Sequence, residues 1–90
     1  MSRKRRPAQP LRAEVAHIIG KVPVKDSYAV AYPQEARGEL KVTESVTFSL
    51  TNWHGKKTGL SKGLVVELFG IELHRHGWRA NRARPVVVSA

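Results

Sequence analysis

The stretch Leu40-Lys41-Val42-Thr43-Glu44-Ser45-Val46-Thr47-Phe48-Ser49-Leu50-Thr51 decides the fold. Leu40, Val42, Val46, Phe48 and Leu50 occupy even positions, and Lys41, Thr43, Ser45, Thr47, Ser49 and Thr51 the odd ones. Period two over this length predicts a β-strand with one face in a core. Glu44 breaks the apolar row and marks a bulge or an exposed bend.

Downstream, Leu64, Val66 and Leu68 repeat the alternation, Gly70 interrupts it, and Ile71 and Leu73 resume it one residue out of phase. A slip at a glycine predicts a bulge or a barrel bend. His74-Arg75-His76-Gly77 reads as a turn, and residues 78–88 as a return strand ending in Val86, Val87 and Val88. Upstream, residues 15–24 are apolar with Gly20 and Pro23 inside, which suits a bent edge strand. One or two helical turns over residues 11–19 are the alternative. Lys25-Asp26-Ser27 reads as a turn, residues 28–32 as a short strand stopped by Pro33, residues 33–38 as a loop, and residues 52–63 as the longest irregular segment.

Five strands at hairpin spacing predict an all-β chain: a small five-stranded antiparallel barrel, OB-like, with SH3-like as the alternative. It is expected to span residues 13–90 as one domain, preceded by a flexible basic arm over residues 1–12. Ninety residues, 10.0 kDa, leave little room for a deep substrate pocket with its own supporting shell. The absence of Cys excludes disulfide staples, zinc ribbons and Cys nucleophiles. Apolar runs of three or four residues build neither a membrane-spanning helix nor a signal-peptide core. The expectation is a soluble protein that stays in the compartment where it is made, the cytoplasm or, in a eukaryote, the nucleus.

The formal charge of +9 is unevenly spread. Residues 1–12 carry Arg3, Lys4, Arg5, Arg6 and Arg12 with no acid. Residues 13–51 carry four bases (Lys21, Lys25, Arg37, Lys41) against five acids, a net −1. Residues 52–90 carry seven bases against Glu67 and Glu72, a net +5. A surface shaped by solubility alone intersperses its signs; segregation of one sign points to a polyanion, most often nucleic acid. Pro7 and Pro10 deny the arm a helix, so it is expected to be disordered alone and to seek phosphates. A nuclear-import signal and a solvated tail share this composition.

The C-terminal half resembles a cold-shock-type OB domain. Val46-Thr47-Phe48-Ser49 is similar to that family's third-strand pattern. Residues 59–68, Gly-Leu-Ser-Lys-Gly-Leu-Val-Val-Glu-Leu, resemble its turn into a Val-rich fourth strand. Residues 77–86, Gly-Trp-Arg-Ala-Asn-Arg-Ala-Arg-Pro-Val, resemble its last strand. The likeness covers roughly half the chain and implies a single-strand-binding barrel. The family's aromatic Lys-Gly-Phe-Gly-Phe-Ile type of motif is missing, and Tyr28-Ala29-Val30-Ala31-Tyr32 holds the second-strand place without flanking glycines.

Three segments carry candidate binding chemistry. Tyr28, Val30 and Tyr32 share one strand face; two rings about 13 Å apart would stack non-adjacent bases. The plainer alternative puts both rings in the core around Val30. Trp53-His54-Gly55-Lys56-Lys57 joins two rings to two cations in a glycine-flanked loop, either tucked onto the barrel or offered to a ligand. His74, Arg75, His76, Trp78 and Arg79, followed by Arg82 and Arg84, place four arginines within ten residues and no acid. On a hairpin those cations would converge on one tip, and guanidinium suits phosphates and base faces alike.

No metal site is expected: His74 and His76 lack a third ligand, and the arginines would repel a divalent ion. His17 reads as a strand residue with a hydrogen-bonded ring. No nucleophile–base arrangement, apolar carboxylate pair or phosphate-cradling glycine loop points to an enzyme, a cofactor or a small-molecule substrate. The sequence therefore predicts a nucleic-acid-binding protein, RNA favoured over single-stranded or duplex DNA, held mainly by charge. A ribosomal or ribosome-associated role, a protein-interaction module and an architectural duplex-DNA binder are the alternatives.

Overall fold

The computed structural model describes residues 10–20, 22, 26–56 and 59–86. Arg3, Lys4, Arg5 and Arg6 of the arm, Pro23 and Val24, Lys57, and Val87 and Val88 lie outside the described residues. The described chain is all-β. Seven strands, β1 (Leu11–Ile19), β2 (Tyr28–Pro33), β3 (Val46–Ser49), β4 (Val65–Phe69), β5 (Glu72–His74), β6 (Gly77–Arg79) and β7 (Arg82–Pro85), form one mixed sheet. Its order is β5-β6-β3-β2-β1-β4-β7. No helix among these residues is long and apolar enough to cross a membrane.

The five-stranded antiparallel barrel expected from the alternation is replaced by a seven-stranded open order containing one parallel pair, β3 with β6. The extra strands arise because two long strands break. The return segment must change partners: the Ala80 N–H donates to Thr47 on β3, and the next N–H, of Asn81, donates to Phe69 on β4. β6 therefore pairs with β3 and β7 with β4, and the two strands separate at Ala80 and Asn81. Gly70 divides β4 from β5 in the same place. Its φ of 63° is the left-handed conformation a glycine adopts freely, and a Cβ there would stand 2.7 Å from the Asn81 Cβ.

β1 is central, not an edge: it pairs antiparallel with β2 on one side and β4 on the other. It begins at Leu11, which is fully buried, so ordered structure starts before the arm boundary drawn by composition. The helical alternative for this segment does not form. Ala16 is the extra residue of a β-bulge, since Val15 pairs with Ala31 and His17 already with Val30.

The deciding stretch itself is strand only over Val46–Ser49. The Gln34 N–H donates to Arg12, so the Pro33 nitrogen faces away from β1, towards the side where β3 would continue. Having no N–H, Pro33 cannot extend that ladder. The chain before Val46 instead makes tight turns, with Leu40 and Arg37 exchanging backbone hydrogen bonds and Lys41 donating to the Glu44 carboxylate. Leu40 stays buried, but Val42 does not.

The core fills one side of the sheet with Leu11, Ala13 and Val15, Ala29 and Ala31, Val46 and Phe48, Val66 and Leu68, and Ala83. Alanines at four of these positions let the strands pack closely. Leu73, which resumes the alternation after Gly70, is 60% exposed because β5 leaves the core there. After β3 a 3-10 turn, Leu50–Asn52, carries the chain to Trp53, which makes an isolated parallel bridge to Ala83 of β7.

Candidate nucleic-acid interface

Alternation in β2 buries Ala29, Ala31 and Pro33 and turns Tyr28, Val30 and Tyr32 to the opposite, outer face of the sheet. The core alternative for the tyrosines is thereby excluded. Tyr28 is half-buried and Tyr32 40% exposed. Registration spreads this face sideways. Val30 is opposite Thr47 on β3, which is registered with Arg79 on β6, which is opposite Glu72 on β5. On the other side Val30 is opposite His17 and Tyr28 opposite Ile19. His17 is exposed on this face. The result is a band of two phenols, aliphatic and hydroxyl side chains and an imidazole, with the Arg79 guanidinium at its margin.

The loop tryptophan belongs elsewhere. Trp53 is only 9% exposed, its ring stacks on Phe48 with centroids 6.1 Å apart, and its Nε1–H donates to the Lys56 carbonyl at 3.1 Å. It is a core residue, and no base can reach its face. Gly55 makes this possible, for a Cβ there would lie 2.8 Å from the indole and 2.9 Å from Pro85. Trp78 is likewise half-buried against the core. His54 and Lys56 remain exposed beside the buried ring, with the His54 N–H donating to Ala83.

The late arginines do not converge on one tip. Arg75 lies in the β5–β6 turn with His76, beside the exposed His74, whose Nε2 is 3.7 Å from Glu72. Arg79 is on β6. Arg82 and Arg84 sit on β7, at the other end of the strand order, with their guanidinium carbons 5.1 and 4.9 Å from the centre of the Phe69 ring. Arg84 Nε donates to Glu67 Oε1 at 2.8 Å, and Arg12 Nε stands 4.0 Å from the other Glu67 oxygen. One carboxylate thus faces two cations, and Arg82 adds a third beside them. The Phe69 ring holds both guanidiniums in place, and Glu67 offsets part of the Arg84 charge.

Phe69, Glu67 and Arg12 were not legible as a cluster, because they meet across β1, β4 and β7 through register alone. The same is true of Thr47 and Arg79. Their signal was present only as the phase opposite to the buried residues in each strand.

No protein-family model matches the chain, and no curated protein or solved structure matches it. Among the described residues no group of three or more His, Cys, Asp or Glu is placed to hold a metal ion.

Proposed function

We propose that the chain is an OB-like domain that binds single-stranded nucleic acid, RNA in preference to DNA, on the outer face of β2 and β3. The observation that carries the reading is the turning of Tyr28, Val30 and Tyr32 outward beside Thr47 and Arg79 in a chain of net charge +9. Phenol rings stack any base, and a cation at the margin takes the phosphate.

Connectivity supports the OB-like part. Taking β4 and β5 as one strand bent at Gly70, and β6 and β7 as one bent at Ala80 and Asn81, reduces seven segments to five. The first strand then pairs with the second and fourth. The fifth lies parallel to the third through β6 and antiparallel to the fourth through β7, while the Trp53–Ala83 bridge draws the end of the order back towards β3. An OB barrel is partly open and Greek-key in this manner, and its second and third strands, with the first and last loops, form its oligonucleotide face. In this chain the last loop carries Arg75 and His76, with His74 at its edge on β5.

Arg82, Arg84 and Arg12 flank the face on the β4–β7 side and, with the arm, supply sequence-independent attraction. Competition among single-stranded RNA, single-stranded DNA and duplex DNA, followed by fluorescence anisotropy at several salt concentrations, tests the proposal. Single strands should win, RNA first. With about six phosphates neutralised, log K should fall against log salt with a slope of about −4. Preference for duplex, or a flat salt dependence, would overturn it.

A further inference from the structure

At one end of the outer face the sheet opens into a groove of about 880 Å³, lined among others by Glu14, Ala16, Tyr32, Gln34, Lys62 and Gly63. Three local features make it. The bulge at Ala16 bends β1 while it stays paired with β2. Pro33 ends the β2–β3 ladder. The turn before β4, with Gly63 at φ 91°, brings Lys62 to the opposite wall.

Glu14 and Tyr32 are registered directly opposite each other on β1 and β2. Side chains in that relation stand about 5 Å apart at their Cβ atoms. Among the described residues Glu14 has no ion-pair partner within 4 Å, although Lys62 lines the same groove. A carboxylate on the binding face of a cationic protein, unpaired among the described residues, repels phosphate, so its use lies with another part of the ligand. A carboxylate offers two acceptors side by side and complements an edge carrying two adjacent donors.

Among the four RNA bases only the guanine Watson–Crick edge presents that pair, N1–H and N2–H. In cytosine and adenine the amino group adjoins a ring nitrogen lone pair, and in uracil the N3–H lies between two carbonyls. Each of these would set a lone pair against the second carboxylate oxygen. Resting on the single-strand reading above, we infer that this groove is a guanine-recognising subsite. The base stacks on Tyr32 and donates N1–H and N2–H to the two Glu14 oxygens, while Lys62 donates to guanine O6.

The test uses the full chain and anisotropy titrations with short oligouridines, with and without one central guanosine, and with inosine, which lacks the N2 amine, in that place. Guanosine should tighten binding about ten-fold over uridine alone, and inosine should lose most of that gain. In Glu14→Gln, whose position is solvent-exposed and whose melting temperature should not move, the guanosine preference should vanish while oligouridine binds as well or better. Oligouridine bound with steep salt dependence but no gain from guanosine, or a gain unchanged in Glu14→Gln, would overturn the subsite and leave the single-strand reading standing. Failure to bind any single strand would overturn both.

Discussion

The Trp53 indole lies on the Phe48 ring, centroids 6.1 Å apart and planes 24° from parallel, and this pairing determines which aromatic rings a ligand can reach. With Trp53 inside, stacking surface on the outer face is left to Tyr28 and Tyr32. Trp53→Ala should therefore cost about 3–5 kcal/mol of stability, read by urea denaturation. Affinity for single-stranded RNA, measured at low temperature where the variant is folded, should stay within about two-fold. A large loss of affinity in a folded variant would return the indole to the interface.

Gly70 and Gly38 both hold positive φ, 63° and 59°, but only at Gly70 would a Cβ strike a neighbour, the Asn81 Cβ at 2.7 Å. Gly38→Ala should cost about 1 kcal/mol for the conformation alone. Gly70→Ala should cost more, about 2–3 kcal/mol, because the switch of partners between β6 and β7 depends on that close approach. Equal melting temperatures for the two variants would argue against it.

Much of this was readable in advance, and the misses have local causes. The alternation at Val46 and Phe48, at Val66 and Leu68, and the break at Gly70 all reported real strand faces, because each run has one buried side. Residues 40–45 carry the same period yet form turns: the partner they would need is Pro33, which has no N–H to give, and that pairing is invisible until register is known. Chain proximity alone suggests that the arginine segment forms one hairpin. The partner switch after Ala80 puts Arg79 on β6 beside β3 and Arg82 on β7 beside β4, while Arg75 stays in the β5–β6 turn. Trp53 is ambiguous in the sequence because nothing there shows that the indole stacks on Phe48 with Gly55 packed against it.

Glu67 restrains Arg84 and, more loosely, Arg12. Glu67→Gln should free both cations, tighten RNA binding and steepen its salt dependence, with little change in stability because the arginines are largely exposed. Arg82→Ala should do the reverse, weakening binding and making the slope shallower by about 0.7. Isothermal titration or anisotropy across a salt series reads both variants. Weaker binding by Glu67→Gln would remove this cluster from the interface.

Deletion of residues 2–9, which takes Arg3, Lys4, Arg5 and Arg6, should weaken RNA binding and flatten the salt slope without lowering the melting temperature. Extending the deletion through Arg12 should lower it sharply, because Leu11 is fully buried in β1 and Pro10 accepts a hydrogen bond from Arg37. Calorimetry distinguishes the two deletions, and a large drop for the shorter one would mean that the arm packs on the sheet.

Amide chemical-shift mapping on the isotope-labelled protein, titrated with a short single-stranded RNA, tests the central claim most directly. The account predicts the largest shifts along β2 and β3, at Tyr28, Val30, Tyr32, Thr47 and Ser49, reaching Arg79 on β6. Saturating shifts that leave β2 and β3 untouched would contradict it.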